Sequence, residues 1–237
     1  MILKADPVSN ALEVPTRDRV HVAVREIKEE SYRAMRCAGF SWGQSQSAGR
    51  IASVSEIFWG TGISSVLSDV RWRLIKKRAP KFTQNIDEIV IDTRGMSALL
   101  AASFAIALSQ SRPEMKVFIQ GSRFGPDVAA AVWDAKRLPN MTITWGKGIG
   151  SETKDHSVLA NGDLVSHSRY ETMKPISKKY SSLGFIVSHS ESISGNLILG
   201  KKEMGVRVNK ALVGGVEVSQ SAWHELSLKS YKYLVAE

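Results

Sequence analysis

Cysteine is almost absent from this sequence of 237 residues, in which Cys37 stands alone. A single thiol cannot form an internal disulfide framework, and a cysteine-based zinc site needs several thiolates at close spacing. The five histidines include no pair at the i, i+4 spacing of a helical metal motif. The sequence therefore predicts a protein without a bound metal, located in a reducing cytoplasm.

Long apolar runs are absent as well. The longest, at residues 96–108, is shorter than the roughly 18 residues that a membrane span needs, and it is broken by Ser97 and Ser103. The first seven residues contain no apolar segment of the kind that a signal peptide requires. We therefore expect no membrane partner.

Established catalytic signatures are missing too. Gly-x-Ser-x-Gly, the nucleophile motif of α/β-hydrolases, does not occur. The glycine-rich segment at 146–150 is not a P-loop, and Ser151 stands where Gly-x-Gly-x-x-Gly would end in glycine. These motifs assign no catalytic residue.

Positive charge is what the chain has in excess, with 32 lysines and arginines against 23 acidic residues and a net charge of +9. Such a balance can indicate a nucleic-acid partner. The densest basic cluster, at residues 71–81, lies at the end of a predicted helix, where cations complement the helix dipole. Since no aromatic–basic alternation typical of an RNA-binding strand accompanies it, nucleic-acid binding is the least favoured of three functions considered.

The N-terminal part of the sequence predicts a helical hairpin over residues 25–60. Apolar and small residues recur at helical spacing in its first helix: Ile27, Ser31, Ala34, Met35 and Ala38. Gly39 ends that helix, and Ser41 followed by Gln44 forms a capping box that begins the second. A third helix, at residues 63–74, closes with the basic cluster and Pro80.

The middle of the chain alternates short apolar strands with helices, and the C-terminal part does not. Strands are predicted at 86–92, 115–120 and 141–145, with helices at 96–110 and 127–137 between them. Further short strands follow at 185–187, 197–199 and 206–208, before a last helix at 219–234. The predicted fold class is α/β: a helical hairpin, a parallel βαβαβ unit with right-handed crossovers, and a mixed strand-rich C-terminal part. These stretches, expected to form one compact unit, are residues 1–80, 81–150 and 151–237.

The ends of the three central strands predict a ligand site, because open parallel sheets bind ligands beyond the carboxyl ends of their strands. Each of the loops that follow combines glycine with one basic residue: Arg94, Arg123 or Lys147, with Ser122 beside Arg123. If they converge, these cations and nearby backbone N–H groups would bind a carboxylate or phosphate. The alternative is chance, because 32 basic residues in 237 place one in many short loops.

One stretch resembles a known family. Ala38-Gly39-Phe40-Ser41 is followed by Ala48 and Ala52 on one helix and then by the run at 56–63. Through these features, residues 25–67 resemble the N-terminal region of the malate/L-lactate dehydrogenase family that lacks a classical Rossmann fold, and in particular a bacterial branch of that family. That family includes ureidoglycolate dehydrogenases and cyclic-imine reductases. The resemblance implies NAD or NADP as cofactor and a carboxylate-bearing small molecule as ligand.

The chain departs from that family at one decisive position. The family carries a Ser-His-Gly motif whose histidine exchanges a proton with the substrate while NAD(P)H exchanges a hydride. The matching residues here are Gly60-Thr61-Gly62, and a threonine hydroxyl has no pKa near neutrality. The resemblance thus implies binding, with Thr61 as a further candidate ligand contact, while catalysis by this route is not expected.

Two functions of different classes follow. The first is a small-molecule-binding protein related to NAD(P)-dependent 2-hydroxy- and 2-imino-acid oxidoreductases. The second is a non-catalytic accessory subunit or protein-interaction module, suggested by the missing histidine and by the apolar run Ile57-Phe58-Trp59 at a helix end. Both agree with an expected homo-oligomer or partner subunit.

Overall fold

A computed structural model of the chain describes residues 18–76, 80–122, 127–135, 141–145, 155–159, 161–167, 184–189 and 195–233. The helices within these ranges are α1 (Val24–Cys37), α2 (Trp42–Trp59), α3 (Gly62–Lys76), α4 (Ala98–Ser111), α5 (Asp127–Asp134), α6 (Lys201–Gly214) and α7 (Gln220–Tyr231). The strands are β1 (Arg19–Val22), β2 (Lys81–Gln84), β3 (Glu88–Asp92), β4 (Lys116–Gln120), β5 (Met141–Trp145), β6 (Asp155–Val158), β7 (Leu164–His167), β8 (Gly184–His189), β9 (Asn196–Leu199) and β10 (Val216–Ser219).

The predicted helical hairpin is confirmed, and α1 and α2 pack against each other. All five residues that the spacing placed on the inner face of α1 are buried. The capping box is present as well: Ser41 Oγ accepts a hydrogen bond from the Gln44 N–H at 3.3 Å, and Gln44 Oε1 accepts one from the Ser41 N–H at 3.0 Å. Local sequence signals therefore set both ends of the turn between the helices.

The large sheet is mixed, in the order β2-β3-β4-β8-β5-β6-β7-β9 within the described residues. β3 and β4 pair in parallel and are joined by α4, as the predicted βαβ pattern requires. The continuation into a fully parallel βαβαβ unit is wrong, because β8 lies antiparallel between β4 and β5. Since both neighbours of β8 oppose it, β3, β4 and β5 still run in one direction. Their carboxyl ends therefore lie at one edge of the sheet.

Other elements also differ from the sequence prediction, among them α6 and β2. The strand expected at 206–208 is wrong, since these residues lie within α6. There Met204, Val208 and Ala211 pack against the core at helical spacing, while Val206 points outward and is 62% exposed. The Val-Arg-Val alternation at 206–208 resembles a strand, but in the helix one valine faces solvent and the other faces the core. Three residues are too few for their periodicity to distinguish a strand from a helix. β2 was not predicted, because all four of its residues are exposed and carry no apolar alternation.

The core lies where α4 meets the neighbouring helices and the sheet. α4 is apolar on nearly every side, and it packs on α2, α3, α5 and β4. Because α4 follows β3 and α5 comes after β4, both helices begin at the carboxyl edge of these strands. This arrangement positions the candidate site.

Candidate functional site

Arg94 stands at the carboxyl end of β3, as predicted, with its side chain exposed. Its backbone is left-handed, with φ at +54°, which is uncommon for a residue other than glycine. Two hydrogen bonds hold this turn: the Arg94 N–H donates to Asp92 Oδ1 at 2.9 Å, and Trp72 Nε1 donates to the Arg94 carbonyl at 3.0 Å. The guanidinium is therefore presented to solvent on a fixed backbone.

Ser122 follows β4 on the adjoining loop and is only 4% exposed. Its Oγ has no hydrogen-bond partner in the part of the chain that the structure describes. The two loops are joined, because both the N–H and the Oγ of Thr93 donate to the Gln120 carbonyl, at 3.0 and 2.9 Å. Arg94 and Ser122 thus belong to one loop pair, whereas Arg123 and Lys147 lie outside the described residues.

Thr61 lies between α2 and α3 and makes a specific contact. Its hydroxyl donates to Asp127 Oδ1 at 2.7 Å, and Ser65 Oγ donates to the other oxygen of the same carboxyl. Asp127 is the first residue of α5, five positions after Ser122. Thr61 is therefore tied to the helix that begins at this edge of the sheet, while direct convergence of Thr61, Arg94 and Ser122 on one ligand stays a prediction.

Sequence reasoning missed a cluster of three buried carboxyl groups beneath this edge. Besides Asp127 it contains Glu56, whose Oε2 accepts the Ile63 N–H at 2.9 Å, and Asp69. Asp69 accepts the N–H and the Oγ–H of Ser97 at 2.7 and 2.6 Å. Glu56 thus serves the free N–H groups that begin α3, and Asp69 serves those that begin α4. A signal was present, since Glu56 continues the Ala48 and Ala52 spacing on the inner face of α2.

The environment of these carboxyls raises their pKa values. Loss of solvation on burial raises the pKa of Glu56 and of Asp69 to about 7, and that of Asp127 to about 6. The charge of Asp127 also raises the pKa of both neighbours, and the hydrogen bonds described above oppose these effects in part. No cation forms a salt bridge with any of the three within the described ranges. The cluster can therefore hold and release protons near neutral pH.

The aromatic run at the end of α2 has an intrachain role. Phe58 and Trp59 both pack on Trp133 of α5, with ring centroids 5.0 and 5.3 Å apart, and the two indoles are stacked. Trp133 Nε1 donates to the Gly162 carbonyl at 2.9 Å. These rings join α2, α5 and the segment before β7, so they do not support a partner interface.

The comparisons with solved structures concern the fold. The chain is similar to a malate dehydrogenase from Entamoeba histolytica, with a TM-score of 0.60 and 10% identity over 91% of this chain and 98% of the other. It is similar to a dehydrogenase from Sinorhizobium meliloti, with a TM-score of 0.61 and 8% identity over 90% and 99% of the two chains. It is also similar to a malate dehydrogenase from Pyrococcus horikoshii, with a TM-score of 0.57 and 8% identity over 91% of this chain and 96% of the other. No family model matches the chain, and no curated protein matches its sequence.

The resemblance to the malate/L-lactate dehydrogenase family is thereby confirmed for the fold. It also reaches further than residues 25–67, because the likeness in fold covers nine tenths of the chain. Two other observations concern the described residues alone. They contain no group of three or more His, Cys, Asp or Glu able to hold a metal ion, and none of their helices is long and apolar enough to cross a bilayer.

Proposed function

We propose that the chain binds a carboxylate-bearing small molecule, together with NAD or NADP, at the carboxyl edge of β3 and β4. The observation that carries this proposal is the loop pair there. It presents the exposed Arg94 guanidinium on one loop and the buried Ser122 hydroxyl, which has no hydrogen-bond partner among the described residues, on the adjoining loop. Both groups suit an anionic oxygen, since arginine binds carboxylate or phosphate and a buried hydroxyl without a partner favours a ligand that supplies one. The fold of solved dehydrogenases supports the choice of ligand class.

Catalysis by the route of those dehydrogenases is not part of the proposal. Thr61, at the position matched to the family's histidine, has its hydroxyl engaged with Asp127 at 2.7 Å. This contact fixes the start of α3 on α5, and a threonine does not accept a proton at neutral pH. NAD or NADP, if bound, would supply a hydride donor or acceptor, and its phosphates would meet Arg94 and Ser122. Thr61 then has a positioning role.

Titration of the full chain with NADPH, NADH and L-malate, followed by fluorescence and calorimetry, tests the proposal. Arg94→Ala is expected to weaken binding of the anionic ligand about 10- to 100-fold, as loss of one charged hydrogen bond does. Lys116→Ala removes the same charge at the opposite end of β4 and is expected to leave affinity unchanged. Failure of both nucleotides to bind the wild-type chain would remove the cofactor from the proposal. Equal affinity of the two variants would place the ligand elsewhere.

A protein-interaction role is the second candidate, and an exposed apolar surface favours it. β9 ends the large sheet, and its Leu197 is 62% exposed. The following helix, α6, exposes Leu212 and Val213, the latter to 91%. Leu212 and Val213 are neighbours on this helix, and adjoining exposed apolar side chains mark association surfaces more often than isolated ones do.

Sedimentation of the wild-type chain over a range of concentrations tests this role. If the surface mediates self-association, the molar mass should rise with concentration, and Val213→Lys should return it to that of one chain. Lys210→Ala, on the same helix, keeps the apolar surface and should behave as the wild type. A wild-type chain that remains monomeric throughout would argue against self-association here.

A further inference from the structure

The buried carboxyl cluster joins four helices at one point. Glu56 belongs to α2, Asp69 to α3 and Asp127 to α5, and Ser97, which donates to Asp69, is the residue at the N-cap position of α4. Glu56 is 6% exposed, and neither aspartate is exposed at all. Among the described residues, the beginnings of α3 and α4 donate five hydrogen bonds to these carboxyls, and the Ser55 hydroxyl of α2 also faces Asp127. The same groups that bury negative charge therefore anchor two helix N-termini.

No cation compensates this charge among the described residues. α4 has no charged side chain, and Asp134 is the other acidic residue of α5. The arginines on the elements packed nearby have other partners or are exposed. Arg25 and Arg94 are exposed, Arg73 lies over the Phe40 ring, and the others bind an acidic side chain or a carbonyl: Arg33 with Glu30, Arg36 with the Phe40 carbonyl, Arg50 with Asp134, Arg71 with Glu225 and Arg207 with Glu203. Ionisation of the cluster would thus place like charges together in a dry interior.

We propose that Glu56, Asp69 and Asp127 form a proton-dependent joint, which holds the beginnings of α3, α4 and α5 together when protonated and loosens them when ionised. The first residues of α3 are most affected, because Thr61, Ile63 and Ser65 all bond to the cluster. This inference does not depend on the proposed function. It implies that pH changes the position of Thr61 and, through α5, the edge of the sheet that follows β4.

The direction of the pH effect follows from the sign of the shifts. In the unfolded chain these carboxyls titrate near their ordinary pKa values of about 4. In the folded chain burial raises the pKa of Asp127 to about 6 and the pKa of Glu56 and Asp69 to about 7. Between these values the folded state binds more protons, so stability is highest at low pH and is lost as the pH rises towards 7. A shift of two pH units in one group changes the unfolding equilibrium about 100-fold.

Urea unfolding of the full chain, followed by tryptophan fluorescence from pH 5 to pH 8, measures this linkage. We expect the unfolding equilibrium constant of the wild type to increase at least about 100-fold over the range. Amide hydrogen exchange at Ile63 and Ser97, corrected for its intrinsic pH dependence, should accelerate with it. Asp69→Asn and Asp127→Asn should each flatten the profile, whereas Glu203→Gln, an exposed carboxyl on α6, should keep the wild-type slope.

Two results would overturn the joint. One is a wild-type profile that is flat from pH 5 to pH 8, and the other is a folded Asp69→Asn or Asp127→Asn variant with an unchanged slope. If the variants do not fold, infrared difference spectra of the wild type give the same answer. A band of protonated carboxyl at pH 6 that is lost at pH 8 supports the proposal, and its absence at pH 6 refutes it.

Discussion

Gly62→Ala is expected to lower the free energy of unfolding by at least about 4 kcal/mol, a value reached only by the most disruptive single substitutions. A Cβ added to Gly62 would lie 1.9 Å from the Ala52 carbonyl oxygen, 2.8 Å from its carbon and 3.0 Å from the Glu56 nitrogen. All three atoms belong to the backbone of α2, so no side-chain rotation can relieve the overlap. The beginning of α3 must then move away from α2, which breaks the Ile63–Glu56 hydrogen bond described above.

Urea unfolding of Gly62→Ala beside Gly205→Ala measures this effect. Gly205 lies within α6, where an added Cβ would meet nothing within 4 Å. Its replacement should therefore stabilise the chain by up to about 1 kcal/mol through helix propensity. If the free energy of unfolding of Gly62→Ala lies within about 1 kcal/mol of the wild-type value, at any pH where both fold, the close approach of α2 and α3 is not as described. Glycine at 62 is thus required by packing, whichever residue stands at position 61.

The parts of the fold that local chemistry decides could be predicted. Ser41 and Gln44 satisfy each other's backbone N–H groups within four residues, so their pattern alone locates the start of α2. The spacing of Ile27, Ala34 and Met35 similarly defines the buried face of α1. Both features depend on contacts within one helical turn or two, and the sequence contains all of that information.

The order of the sheet could not be predicted in the same way. β8 pairs with β4 and β5 through backbone hydrogen bonds, although it begins at residue 184, whereas β4 ends at residue 120 and β5 at residue 145. Its Phe-Ile-Val run identifies it as a strand, but backbone pairing carries no side-chain code that names a partner. The direction of β3, β4 and β5 was nevertheless correct, so their carboxyl ends meet the same edge and Arg94 lies where expected.

The carboxyl cluster is the part of the candidate site that was not predicted from the sequence. Glu56, Asp69 and Asp127 belong to three helices, and the position of Glu56 on the inner face of α2 is the one local signal of burial noted among them. The burial of Asp69 and Asp127 becomes evident once Thr61, Ser65 and Ser97 are brought beside them by the packing of α3 and α4. A carboxyl on the apolar face of a predicted helix is the local signal, because burying it requires hydrogen-bond donors from another element.

Gly49→Ala is the second substitution with a large expected effect, and it tests the hairpin directly. A Cβ at Gly49 would lie 2.6 Å from the Lys28 carbonyl oxygen of α1 and 3.5 Å from the Tyr32 nitrogen. The two helix backbones therefore approach closely at this point, and overpacking of this kind costs about 1–3 kcal/mol. The gain in helix propensity, up to about 1 kcal/mol, offsets only part of it. We expect a net loss of about 1–2 kcal/mol in the free energy of unfolding.

Gly43→Ala is the matched control, because Gly43 lies in the same helix and an added Cβ there meets nothing within 4 Å. The two substitutions remove the same residue type from α2 and add the same methyl group. If helix propensity alone acted, both substitutions would stabilise the chain. Because α1 packs closely on α2 at Gly49, we expect only Gly43→Ala to be stabilising. Opposite signs in urea unfolding therefore identify Gly49 as the contact point of the hairpin, and stabilisation by both substitutions would show that α1 stands further from α2 than the structure places it.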